Sequence, residues 1–93
     1  MNFEWDDNKE KQNIKKHDVS FSMAASVFFD SYRLEWLDKR NSLFEDRYIT
    51  IGYDLKADII LYVVYCVRDE KIRIISARKT NKKERSEYYD SKT

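Results

Sequence analysis

Two arginines, Arg73 and Arg78, lie on the run Lys71-Ile-Arg-Ile-Ile-Ser-Ala-Arg78, and a permanently charged, forked donor is well suited to gripping a phosphate. The run reads as a strand. In a regular strand Ile72, Ile74 and Ser76 face one side while Arg73, Ile75 and Ala77 face the other, because successive side chains alternate. Arg78 then has the opposite parity to Arg73, so the two converge on one site only if the strand ends, twists or bulges near Ala77. Just beyond, Asn81 followed by Glu84 predicts a capping box that opens a helix, with Arg85 and Tyr88 on one face of it. An arginine snorkelling from a sheet is the commoner use of such a residue.

The remaining chemistry-bearing residues are sparse. His17 is the only histidine, and it ends a predicted helix over 7–17 on which Lys9, Asn13, Lys16 and His17 fall along one stripe. Polar stripes of this kind are more often solvated than functional. Gly52 is the only glycine and there is no proline, which excludes a glycine-rich phosphate cradle and nucleotide hydrolysis by that route. No Cys/His spacing suits zinc, and a metal site made only of carboxylates, though open in principle, has no motif behind it, so neither a metal nor another cofactor is expected. Cys66 is the only cysteine; inside an apolar run, it reads as a buried core thiol in a reducing compartment.

With 93 residues the chain has room for one domain, 1–93, with one modest core. The net charge of +1 makes the whole chain no magnet for nucleic acid, so any such role needs a local basic patch, such as Lys15-Lys16 or the run from Arg73 to Arg85. The longest apolar run, 59–67, is far shorter than the ~20 residues of a membrane helix. No leader pattern is visible either, and a soluble, cytoplasmic protein is expected.

These residues must be held by elements of two periods. Phe3 and Trp5 share one face of a short strand or apolar plug, and Asp6 or Asp7 caps the first helix. Ser20 caps a second, whose buried face is Phe21, Ala24, Ala25 and Phe28. Period-two patterning then predicts strands over 32–36, 46–53, 59–67 and 71–77. Short connections imply an antiparallel meander with the helices covering one face. The expected class is α+β: an antiparallel sheet of about four strands, two N-terminal helices and one C-terminal helix.

A dispersed set of residues resembles the BrnT family of toxins from type II toxin-antitoxin systems. It comprises Phe3-Glu-Trp-Asp6 with Lys9, Asn13 and Lys16-His17, then Val19-Ser-Phe21 with Ala24 and Phe28. Glu45-x-Arg47 leading to Ile51-Gly52, the apolar strand to Val64-Tyr65, and Ile72 to Arg78 followed by Glu84-Arg85 and Tyr88 complete it. The chain departs from the pattern at Asp18, where a glycine is common, and in its polar 39–46 connection. The resemblance implies a RelE-like fold, RNA cleavage that shuts down translation, and a tight complex with a BrnA-like antitoxin. Operator DNA would be bound only through that complex.

RNA can be cut without metal when its own 2′-hydroxyl attacks the adjacent phosphate, which requires a proton acceptor, a proton donor and charge stabilisation. Under this resemblance the catalytic candidates are Arg73 and Arg78 for charge, then Arg47, which matches the Glu-x-Arg pattern. His17 or Glu45 would carry protons. Lys9, Lys16, Arg85 and Tyr88 would position substrate or share in proton transfer. Salt bridges to Glu45 or Glu35 are an equal reading for Arg47. The alternative function is a module that binds RNA or a partner protein without catalysis and so inhibits translation. Whether the RNA is ribosome-bound mRNA is left open. The antitoxin is expected near Trp5, Trp36 and the first helix.

Overall fold

Three helix starts are fixed by short polar side chains. In the computed structural model, which describes residues 1–92, β1 (Phe3–Glu4) leads to Asp6, whose carboxylate accepts from the Lys9 amide at 3.0 Å and starts α1 (Asp7–His17). Asp18 ends that helix with φ 58, so aspartate adopts the left-handed conformation that glycine takes more easily. Ser20 accepts from the Met23 amide at 3.1 Å and starts α2 (Phe21–Ser26), which continues into a 3-10 turn, Val27–Phe29.

The chain then forms β2 (Leu34–Leu37), β3 (Tyr48–Asp54), β4 (Ile59–Arg68) and β5 (Lys71–Lys79). Asp69 and Glu70 turn β4 into β5 with both φ angles positive, the geometry whose twist matches a two-residue hairpin. Asn81 and Glu84 form the expected capping box, each accepting from the other's amide at 2.9 Å, and open α3 (Lys82–Ser91).

The sheet order is β1-β5-β4-β3-β2. The meander β2 to β5 is antiparallel as expected, but the sheet has five strands and is mixed, because β1 pairs with β5 in parallel. Phe3-Glu4 thus completes an edge rather than plugging one: the Ile72 amide donates to the Asn2 carbonyl at 2.8 Å, and Phe3 packs on Phe28. β2 starts two residues later than the alternation suggested, since Asp30 folds the chain into a turn by accepting from the Tyr32 amide at 2.9 Å.

The helices do not share one face. Phe21, Ala24, Val27 and Phe28 pack on Leu61, Val63, Tyr65, Ile74 and Ala77, and this is the larger core. On the opposite face Tyr88 of α3 packs with Ile51 and Ile60, flanked by Leu34, Tyr53 and Tyr62. Gly52 permits the first packing: a Cβ there would lie 2.9 Å from the Val27 Cβ and 3.1 Å from its carbonyl oxygen. Along the second face, α3 covers one end and leaves the other open.

Candidate functional site

A bulge decides which side chains look out from the open end. Ser76 pairs with Val64 but Ile74 pairs with Tyr65, so Ile75 is an extra residue in β5. Parity reverses across it. Ile72, Ile74 and Ala77 lie on the α2 face, and Arg73, Ser76 and Arg78, opposite Cys66, Val64 and Tyr62, lie on the other. The strand therefore bulges as the two arginines require for a common face, though at Ile75. Ser76 and Ala77 each stand on the face opposite to that expected of a regular strand.

α1 closes the edge of β5 beyond the point where β1 stops. Buried Asn13 acts as a short stretch of strand: its Nδ2 donates to the Ala77 carbonyl at 2.9 Å and its Oδ1 accepts from the Ala77 amide at 3.1 Å. Nδ2 also donates to the Val19 carbonyl at 2.8 Å, tying the helix to the start of α2. Leaving those backbone groups unpaired in the interior would cost about 1–3 kcal/mol each, so this one amide fixes where α1 sits.

The stripe of α1 that contains Asn13 then forms one wall of an open groove of about 320 Å³. Lys9, Gln12, Lys16 and His17 line it from the helix, Ile75 and Ser76 from β5, and Arg47 from just before β3. The lysines are exposed; His17 and Arg47 are half-buried. Among the described residues, Lys9, Lys16 and Arg47 make no ion pair, so three cations face one space with no counter-ion at contact distance. An anion entering there would gain charge-assisted hydrogen bonds that no resident carboxylate already occupies.

The salt bridges weighed for Arg47 are made by other arginines. Glu35 pairs with Arg33 at 2.8 Å. Glu45 accepts from Nε and Nη2 of Arg68, both at 2.8 Å, and these bonds hold its pKa down to about 2. A carboxylate so acidified is a weak proton acceptor. Buried Cys66 lies beside this pair, its thiol pushed up by burial and by Glu45. Arg73 does not line the groove; it shares the sheet face of Ser76, 3.7 Å from Glu4, a separation that leaves its donors loosely held.

Arg78, Arg85 and Tyr88 belong to the other end of the face. Arg78 donates from Nη1 and Nη2 to the two oxygens of Glu84, both at 2.9 Å, and stacks on the Tyr62 ring with its carbon 3.9 Å from the centroid. Glu84 raises the pKa of Arg78, and Arg78 lowers that of Glu84. Arg85 donates to the Thr80 carbonyl. Tyr88 is 2% exposed and donates its hydroxyl to Asp30 at 2.5 Å, and burial followed by that bond raises its pKa. These side chains attach α3 to the sheet, and Tyr88 offers no surface to a substrate.

Gln12 and Ser76 are groove residues that sequence reasoning did not single out. Ser76 could not have been found without the bulge. An asparagine in a helix interior, where its propensity is poor, was the visible sign that α1 carries a specific contact. Trp5 and Trp36 do not form one surface: Trp5 packs edge-on against Phe21 near β1, while Trp36 is half-exposed on β2 at the opposite edge.

Among the described residues no helix is long and apolar enough to cross a membrane, and no three His, Cys, Asp or Glu side chains cluster as metal ligands. No curated protein matches the chain. The family model described as the ribonuclease toxin BrnT of type II toxin-antitoxin systems matches residues 5–84, which include the whole groove. The chain belongs to the BrnT family, and is thus a type II ribonuclease toxin that acts on RNA and has an antitoxin as its partner.

Proposed function

We propose that the groove between α1 and β5 holds the scissile phosphate of RNA and that the protein is a metal-independent endoribonuclease. The observation that carries this reading is the convergence of Lys9, Lys16, His17 and Arg47 on one groove. In this mechanism His17 takes the proton from the 2′-hydroxyl, the 2′-oxygen bonds to phosphorus, and the bond to the 5′-oxygen breaks. Lys9 or Lys16 returns a proton to the departing oxygen, giving a 2′,3′-cyclic phosphate and a 5′-hydroxyl. Arg47 and the lysines meet the charge that builds on the phosphate, usually the largest contribution to such catalysis. Arg73, on the same sheet face as Ser76, holds the neighbouring phosphate. Cutting mRNA blocks translation, a BrnA-like antitoxin neutralises the toxin, and operator DNA is met only through their complex.

The test is cleavage of a defined RNA by purified toxin in EDTA. Cyclic-phosphate and 5′-hydroxyl ends are expected, with cleavage lost in His17→Ala. Ends bearing 5′-phosphate, or cleavage abolished by EDTA, would overturn the metal-independent route, and full activity in His17→Ala would remove His17 from proton transfer.

A further inference from the structure

The two edges of the sheet are finished differently. On the β5 side, β1 and then Asn13 pair the outward backbone. β2 has nothing beyond it. Its register with β3 continues past the strand, where the Asp38 amide donates to the Arg47 carbonyl at 2.8 Å. Bonded and non-bonded pairs alternate in an antiparallel ladder, so Leu34 and Trp36 bond inward to Ile51 and Ile49. The N–H and C=O groups of Glu35 and Leu37 therefore point outward, and among the described residues nothing pairs with them. Natural sheets blunt such edges by keeping them short and with charged side chains, proline, bulges or a covering element. β2 is only four residues long and carries Glu35, but it also carries half-exposed Trp36 and Leu37, and the loop after it presents Leu43 at 82% and Phe44 at 97% exposure.

We propose that β2 is the docking edge for an extended segment of the antitoxin, which adds to the sheet as a sixth strand and buries Leu43 and Phe44. The inference rests on the antitoxin partner implied by the family and is independent of the chemistry assigned to the groove. A strand fits because the outward groups of Glu35 and Leu37 need backbone partners, which a helix has already used internally. Charge complementarity defines its chemistry. Glu35 is the only ionisable residue of β2, and its Oε1 accepts from Arg33 and from the Tyr65 hydroxyl while Oε2 has no partner among the described residues. The added strand therefore places a lysine or arginine beside Glu35 and an apolar side chain beside Trp36. In this region Arg33, Lys39 and Arg40 are offset by Glu35, Asp38, Glu45 and Asp46, so it has no net positive charge to draw RNA, in contrast to the groove.

The test compares amide hydrogen exchange in the toxin alone, with purified cognate antitoxin and with RNA, alongside antitoxin affinity for Leu37→Pro and Phe44→Lys. Proline is tolerated where a strand amide faces outward, and Phe44→Lys alters an exposed loop side chain, which keeps folding and RNA cleavage intact. The expected result is that the Glu35 and Leu37 amides become protected only with antitoxin, and that each variant weakens binding by about tenfold or more. Unprotected amides in the complex, or variants with parental affinity, would overturn the proposal. Protection that grows with toxin concentration and a doubled mass would assign the edge to a second copy, and protection by RNA would assign it to substrate; either also overturns it. A parent that binds antitoxin but cleaves no RNA would fail the groove reading alone.

Discussion

Two ends of one sheet face use arginine in opposite ways. At the α3 end, Arg78 has both terminal nitrogens on Glu84 and its plane on Tyr62, so its charge holds a helix to a strand. At the α1 end, Arg47 lines a groove with Lys9, Lys16 and His17 and makes no ion pair among the described residues. The side chains are chemically identical. What separates them is whether a carboxylate lies at contact distance: Glu84 already takes both terminal nitrogens of Arg78, whereas those of Arg47 are in no ion pair among the described residues and are open to a visiting phosphate.

The largest expected effect is on the groove side. Arg47→Ala should lower RNA cleavage by about 100-fold, the order seen when one charge-stabilising donor is removed, with little change in melting temperature. Cleavage at the parental rate would end the distinction between the two arginines. The reciprocal change, Arg78→Ala, leaves Glu84 half-buried without its partner and should cost about 2 kcal/mol, or roughly 10 °C in melting temperature for a chain of this size. Its cleavage rate per folded molecule should stay within about twofold of the parent, measured below the lowered melting point. A large activity loss in a stably folded Arg78→Ala protein would place that residue in the working site after all.

The smallest effect sharpens the comparison by pH. Arg78 holds the Glu84 pKa below its ordinary 4.5, so the contribution of that carboxylate is complete above 4.5 and is lost as the pH falls through the lowered value. Glu84→Gln should therefore melt below the parent at neutral pH by a margin that closes in acid. A margin that persists unchanged at low pH would mean that the amide substitution itself, and not the lost charge, destabilises the helix start.

How much of this was legible follows from how local each feature is. Asp6, Ser20 and Asn81 announce their helices because a cap involves residues three positions apart, and the hydrophobic face of α2 needs only its own period. Lys9, Lys16, His17 and Arg47 were all identifiable as candidates by type. The sequence did not separate Arg78, Arg85 and Tyr88 from them, since a basic helix start looks the same whether its charges face solvent or a partner such as Glu84. The two tryptophans, expected together, lie at opposite edges.

The sequence by itself determined the α+β class, the helix starts, the antiparallel meander and the kinds of side chain available for phosphate chemistry. These follow from nearest-neighbour preferences and periodicity, which are written within a few residues. Only the tertiary structure decided that Ile75 bulges, that β1 joins the sheet in parallel, and that Asn13 fastens α1 beside Ser76. Each of those depends on partners distant in sequence, and a single extra residue in a strand of period two is enough to turn every later side chain to the other face.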